Sequence, residues 1–180
     1  KFIYADRSSE YGSGLDDDSV AATLFTYPET GFADQESAEL QLFGDFGTWD
    51  FVAGLDSFEE DGENNQDPNF FAGGAGDFTL GQHAESQAIY GNIGFQVTED
   101  LRLSGGARYT EDDKDAHQIG RNNDPNDATP GIPLFPGQPY DVTASDSWDS
   151  TTGRFGVDYR TGSGQLLYAS ASKGFKSGIF

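Results

Sequence analysis

Cysteine and methionine are both missing from this 180-residue chain. Without cysteine there is no disulfide, no thiolate nucleophile and no cysteine-ligated metal centre. Histidine occurs only at His83 and His117, too far apart in sequence to read as a ligand motif. Basic residues are scarce: 10 Lys and Arg stand against 31 Asp and Glu, for a formal charge of -21 at pH 7. That balance lacks the basic footprint nucleic-acid binding requires, and on average it is repelled by an anionic membrane surface. Mean hydropathy is -0.59, and no apolar run approaches the roughly 18 residues of a transmembrane helix. A transmembrane β-barrel is compatible with this absence, because its apolar residues occupy every second position.

What the chain does have is period-two alternation. From Gln87 to Val97, Ile89, Gly91, Ile93, Phe95 and Val97 share one face, while Ala88, Tyr90, Asn92, Gly94 and Gln96 share the other. After Thr98-Glu99-Asp100, Leu101, Leu103, Gly105, Ala107 and Tyr109 alternate with Arg102, Ser104, Gly106, Arg108 and Thr110. Successive side chains of a strand point to opposite faces, so the two stretches predict an antiparallel hairpin with one apolar and one mixed face. The unit recurs. Ala38, Leu40 and Leu42 precede a turn at 43–48 and the face Trp49, Phe51, Ala53 and Leu55, with Val52 blurring the alternation. Phe155, Val157 and Tyr159 precede a turn at 161–164 and the face Leu167, Ala169 and Ala171. Glycines inside these strands (Gly91, Gly94, Gly105, Gly106 and Gly156) predict bends, bulges or space reserved for a neighbour. Trp49, Tyr109, Trp148 and Tyr159, read as lying near strand ends, suit an interfacial aromatic girdle or ordinary packing.

Long polar stretches near 8–36, 60–83 and 113–147 separate the hairpins and supply most of the negative charge. If the strands run up and down in order, all short turns lie on one side and all long segments on the other, the arrangement of outer-membrane barrels. In the two later hairpins the apolar face carries no Lys or Arg until Lys173. A basic residue there at mid-bilayer would cost about 2–4 kcal/mol. The core face of a water-soluble antiparallel sheet would exclude charge as well; strand length and the sorting of the loops favour the membrane reading. On the mixed face, Arg102, Arg108, Arg154 and Arg160 with Glu39 and Asp158 form a charged set, suited to a salt-bridged ladder or to contact with an internal domain.

Several motifs fail. Asp16-Asp17-Asp18 and the segment Asp61 to Asp67 lack the spacing of a calcium loop. Asn122 to Asp127 is a turn cluster, and Gly73-Gly74-Ala75-Gly76 is a loop tip. No P-loop, no dinucleotide fingerprint and no nucleophile elbow is present. The sequence assigns no catalytic, cofactor-binding or metal-ligating residue, singles out no ligand contact, and does not read as an enzyme.

Three stretches carry a resemblance: Ser37 to Glu60, Ala88 to Asp113, and Leu166 to Phe180. Within them Trp49 to Gly54, GGARYTED at Gly105 to Asp112, and YASASKGFKSG at Tyr168 to Gly178 match most closely. The chain resembles the barrel domain of a TonB-dependent outer-membrane receptor over nearly its whole length. The usual family continuation after Gly178 is a second glycine, where this chain has Ile179. The resemblance implies an all-β fold of antiparallel up-and-down strands, a partial transmembrane β-barrel with long extracellular loops. Residues 1–180 would be a fragment of a 22-stranded barrel, with the plug domain, its TonB box and the remaining strands absent. It further implies uptake of a ferric siderophore or similar large nutrient across the outer membrane of a Gram-negative bacterium. The implied partners are that ligand, TonB and outer-membrane lipid, with no nucleic acid and no cofactor. Two other readings fit the alternation: a passive outer-membrane porin and a secreted soluble β-sheet ligand-binding protein.

Overall fold

The computed structural model describes residues 1–16, 25–70, 74–122 and 140–179. Among the described residues every regular element is a β-strand: β1 Phe2–Asp16, β2 Phe25–Asp45, β3 Trp49–Gln66, β4 Asn69–Phe70, β5 Gly74–Gln96, β6 Leu101–Asn122, β7 Tyr140–Arg160 and β8 Leu166–Lys173. They form a single antiparallel sheet in the order β1-β2-β3-β5-β6-β7-β8, with β4 bridging β2 and β5 at one end. The chain therefore runs up and down without crossovers, and the sheet is open at β1 and β8.

The three short turns fall where the sequence places them. Gly47 turns the chain between β2 and β3 at φ 81°, and its N–H donates to Asp45 Oδ1 at 2.8 Å. Gly164 does the same between β7 and β8 at φ 85°. Both adopt left-handed backbone that favours glycine.

The long polar stretches differ from expectation. Most of their length is strand, not loop: β1 and β2 pair from Phe2↔Leu40 to Asp16↔Thr26, and β5 and β6 pair from Gln96↔Arg102 to Gly76↔Asn122. Strands of 21, 23 and 22 residues run well beyond the roughly ten that cross hydrocarbon. The physical reason is that the backbone ladder needs no apolar side chains. Beyond the apolar zone both faces carry polar groups, so the ladder continues while the period-two signal fades. Residues 17–24 and 123–139 lie outside the described residues. So do Asp17 and Asp18, most of the Asn122 to Asp127 cluster, and Gly73.

The register aligns the alternating residues into rows across the sheet. Phe51, Ile93, Gly105, Phe155 and Ala171 form one row; Leu40, Leu55, Ile89 and Tyr109 form another. Together such rows make an apolar belt on one face, from Leu101 to Tyr109 along β6, about 26 Å of strand at about 3.3 Å per residue. Among the described residues nothing packs over it: Ile93 is 51% exposed and Phe155 53%. The buried residues Ala84, Ala88 and Thr110 lie on the opposite face, which also carries Arg102 and Arg108. These two sides are called here the belt face and the arginine face. Trp148 stands on the arginine face, mid-strand and beyond the belt, with Lys114 Nζ 5.8 Å from its ring centre. It is therefore not part of an aromatic girdle. Trp49, Tyr109 and Tyr159 stand on the belt face near its edges.

Candidate functional site

On the arginine face, four neighbouring strands bring polar side chains into one network. Arg108 on β6 grips Asp56 on β3 with two parallel bonds, Nη1 to Oδ2 and Nη2 to Oδ1, both 2.7 Å. Its Nε donates to Thr110 Oγ1 at 3.0 Å, and its guanidinium lies 5.9 Å from the Tyr90 ring centre. Tyr90 in turn donates to Glu39 Oε1 at 2.5 Å, and Gln41 Nε2 donates to the same carboxylate at 2.9 Å. Arg102 pairs with Asp50 nearer the short turns. Glycine makes room for these side chains. A Cβ at Gly54 would lie 2.6 Å from Tyr90 Cζ, and one at Gly94 would collide with Arg102.

The sequence-predicted charged set is thus split. Arg102, Arg108 and Glu39 join the network, through Asp50, Asp56 and Tyr90, which the sequence did not single out. Arg154, Arg160 and Asp158 make no ion pair among the described residues. The sequence does not reveal Asp50 and Asp56 as partners, because each sits two strands away from its arginine, a relation set by the register.

The belt face carries a different chemistry beyond Tyr109. Asp6, Glu36, Glu59, Glu85 and Asp113 stand directly opposite one another on five successive strands. The next row holds Asp34, Asp61, His83 and Asp115. His83 bridges the two rows: its Nδ1 is 2.8 Å from Asp61 Oδ1 and its Nε2 is 3.2 Å from Glu85 Oε1. Hydrogen bonding to Asp61, and then to Glu85, pushes its pKa above the ordinary histidine value. His117 Nε2 lies 2.8 Å from Asp141 Oδ1. A groove of about 450 Å³ runs past Phe32, Asp61, Glu63, His83, Asp115 and His117. Glu59, Asp61 and His83 each offer a donor atom, all within 4.8 Å of one another. The two histidines, distant in sequence, come to line the same groove.

At the far end of the same strands, burial and the neighbouring carboxylate of Asp77 push the pKa of Asp67 upward.

The model of the TonB-dependent receptor-like β-barrel matches residues 2–180. The chain belongs to this family. TonB-dependent receptors sit in the outer membrane of Gram-negative bacteria, and this chain is placed there with them. A solved structure agrees on the fold. The ferric yersiniabactin uptake receptor FyuA from Yersinia pestis superimposes with a TM-score of 0.78 at 18% identity, over 94% of this chain and 24% of that one. Weaker likenesses include the siderophore receptor PiuA from Acinetobacter baumannii (TM-score 0.47, 13% identity, 81% of this chain, 24% of that one). The ferric citrate transporter FecA is another (TM-score 0.43, 12% identity, 95% of this chain, 27% of that one). The chain thus spans about a quarter of the length of these receptors. Among curated protein sequences, none matches it.

Proposed function

We propose that residues 1–180 are one stretch of the wall of a closed transmembrane β-barrel, in a receptor that takes up a ferric siderophore or a similarly large nutrient. In this reading the belt face meets lipid and the arginine face lines the lumen. TonB, acting through an N-terminal plug domain outside this chain, supplies the energy.

The observation that carries the reading is the apolar belt, with nothing packed on it among the described residues. In water such a belt, continuous across seven strands, would be a severe aggregation liability. In a bilayer it is the surface required, and its length along the strand suits a tilted crossing. Lys173 fits the same picture: it stands on the belt face, and its Nζ reaches the Thr151 carbonyl at 3.2 Å, near the belt's edge. The open edges at β1 and β8 call for further strands, since unpaired backbone groups are not tolerated in hydrocarbon.

The likeness to a ferric yersiniabactin receptor supports an iron-chelate ligand. The net charge of the chain does not choose between anionic and cationic ligands, because local groups such as Arg154 and Arg160 can override the mean field. The test is uptake of radioactive iron presented on a panel of siderophores by cells carrying the complete receptor, with and without TonB. Uptake of one chelate that disappears with TonB is expected. Uptake independent of TonB would replace the proposal with a passive porin.

A further inference from the structure

We propose that Glu59, Asp61 and His83, with Glu85 orienting the imidazole, bind a first-row divalent cation such as Zn²⁺ on the belt face just beyond the apolar belt. The site rests on the strand register and on the side chains it brings together, and is independent of what the receptor carries.

Register builds the donor set. Asp61 stands directly opposite His83, and Glu59 directly opposite Glu85. Residues two apart on a strand share a face, so the four side chains occupy the corners of one small patch. Donor atoms of Glu59, Asp61 and His83 already lie within 4.8 Å of one another. A tetrahedral zinc ion with bonds of about 2.0–2.1 Å sets its donors about 3.4 Å apart. The carboxylates of Glu59 and Asp61 are exposed, so their side chains are free to turn toward an ion.

Two further features point to a cation. First, carboxylates directly opposite one another destabilise a sheet, and Glu59 is flanked by Glu36 on one side and Glu85 on the other. Among the described residues neither row contains a Lys or Arg. A divalent ion supplies the missing positive charge. Second, both ring nitrogens of His83 face carboxylates. A metal on Nδ1 takes the place of that proton, while Nε2 keeps donating to Glu85, which fixes the tautomer and orients the ring. The imidazole selects the metal class: Ca²⁺ and Mg²⁺ prefer an all-oxygen shell, whereas zinc and its neighbours accept nitrogen. The adjoining groove leaves room for water at the open coordination position. The second histidine does not compete, because among the described residues the only carboxylate His117 pairs with is that of Asp141.

The experiment is a Zn²⁺ titration of the complete, tag-free receptor in detergent, stripped of metal and competed against a chromogenic chelator. Heat-modifiable migration in gels verifies that each variant is folded. One Zn²⁺ per receptor should be lost or weakened at least roughly tenfold in both His83→Ala and Glu59→Gln, taking outer-shell losses of 10–100-fold as the lower guide. His117→Ala should bind as the unaltered receptor does. Affinity should fall on acidification, as protons compete for His83. Binding that survives His83→Ala unchanged, a folded receptor that takes up no Zn²⁺ there, or equal competition by Ca²⁺ would each overturn the proposal.

Discussion

Arg108 reaches across the whole of β5 to hold both carboxylate oxygens of Asp56, tying β3 to β6 without touching the backbone ladder between them. Such a fork has geometric specificity that a lysine cannot reproduce. Both side chains are partly exposed, at 39% and 22%, so water screens the pair. A double-mutant cycle on Asp56→Asn and Arg108→Met in the complete receptor should give a coupling of about 1 kcal/mol in denaturant unfolding. Arg108→Lys should lose most of it. A coupling near zero would mean that the network is decoration on a wall held by the ladder alone.

Much of this wall is legible in the sequence, and the boundary of legibility is physical. The belt can be read because one face carries apolar side chains and the other a mixture, so Ile89 to Val97 and Leu101 to Tyr109 show clean alternation. The turns can be read because Gly47 and Gly164 need positive φ and the connections are short. The outer halves of the strands cannot be read in the same way. From Asp112 to Asn122 both faces carry polar groups, and no period stands out although β6 continues unbroken. The His83 cluster is hidden for that reason. Its partners Asp61 and Glu59 become neighbours only when the ladder from Trp49↔Phe95 runs on to Asp61↔His83 without a bulge.

The two faces should respond oppositely to the same substitution at adjacent positions. Ala171 lies in the mid-belt row with Phe155, and Ser172 lies opposite Arg154 on the other face. Ala171→Arg should destabilise the folded receptor in bilayers by about 2–4 kcal/mol, the cost of a basic side chain at mid-membrane. Ser172→Arg should cost far less if, as proposed, this face lines a hydrated lumen. Folding yield into vesicles of matched thickness, measured by heat-modifiable migration, distinguishes the two. Equal penalties would assign both positions to the same environment.

Charge reversal inside the acidic row should stabilise the sheet. Glu36 stands between Asp6 and Glu59, so Glu36→Lys converts two unfavourable cross-strand pairs into favourable ones. Each pair contributes roughly 0.2–1 kcal/mol. The gain should shrink with salt, since the screening length drops from about 10 Å at 0.1 M to about 3 Å at 1 M. Unfolding midpoints in metal-free buffer at the two ionic strengths test this, and an unchanged midpoint at low salt would show that the row is already neutralised.

The His83 clamp makes a further, pH-dependent contribution in the absence of metal. Its hydrogen bonds to Asp61 and Glu85 favour the imidazolium, so its pKa in the folded state lies above the value of 6.5 expected for the unfolded chain. A raised pKa means that the folded state holds the proton more tightly. The stabilisation is therefore complete below about pH 6.5 and is lost as pH rises through the folded-state value. The chelator-treated receptor should exceed His83→Gln in stability by its largest margin at pH 5.5–6, and the margin should close on the alkaline side. A histidine chemical-shift titration should report the same midpoint directly. Zn²⁺ should reverse the trend, because the ion needs the deprotonated Nδ1: with metal present, the advantage over His83→Gln should grow with pH.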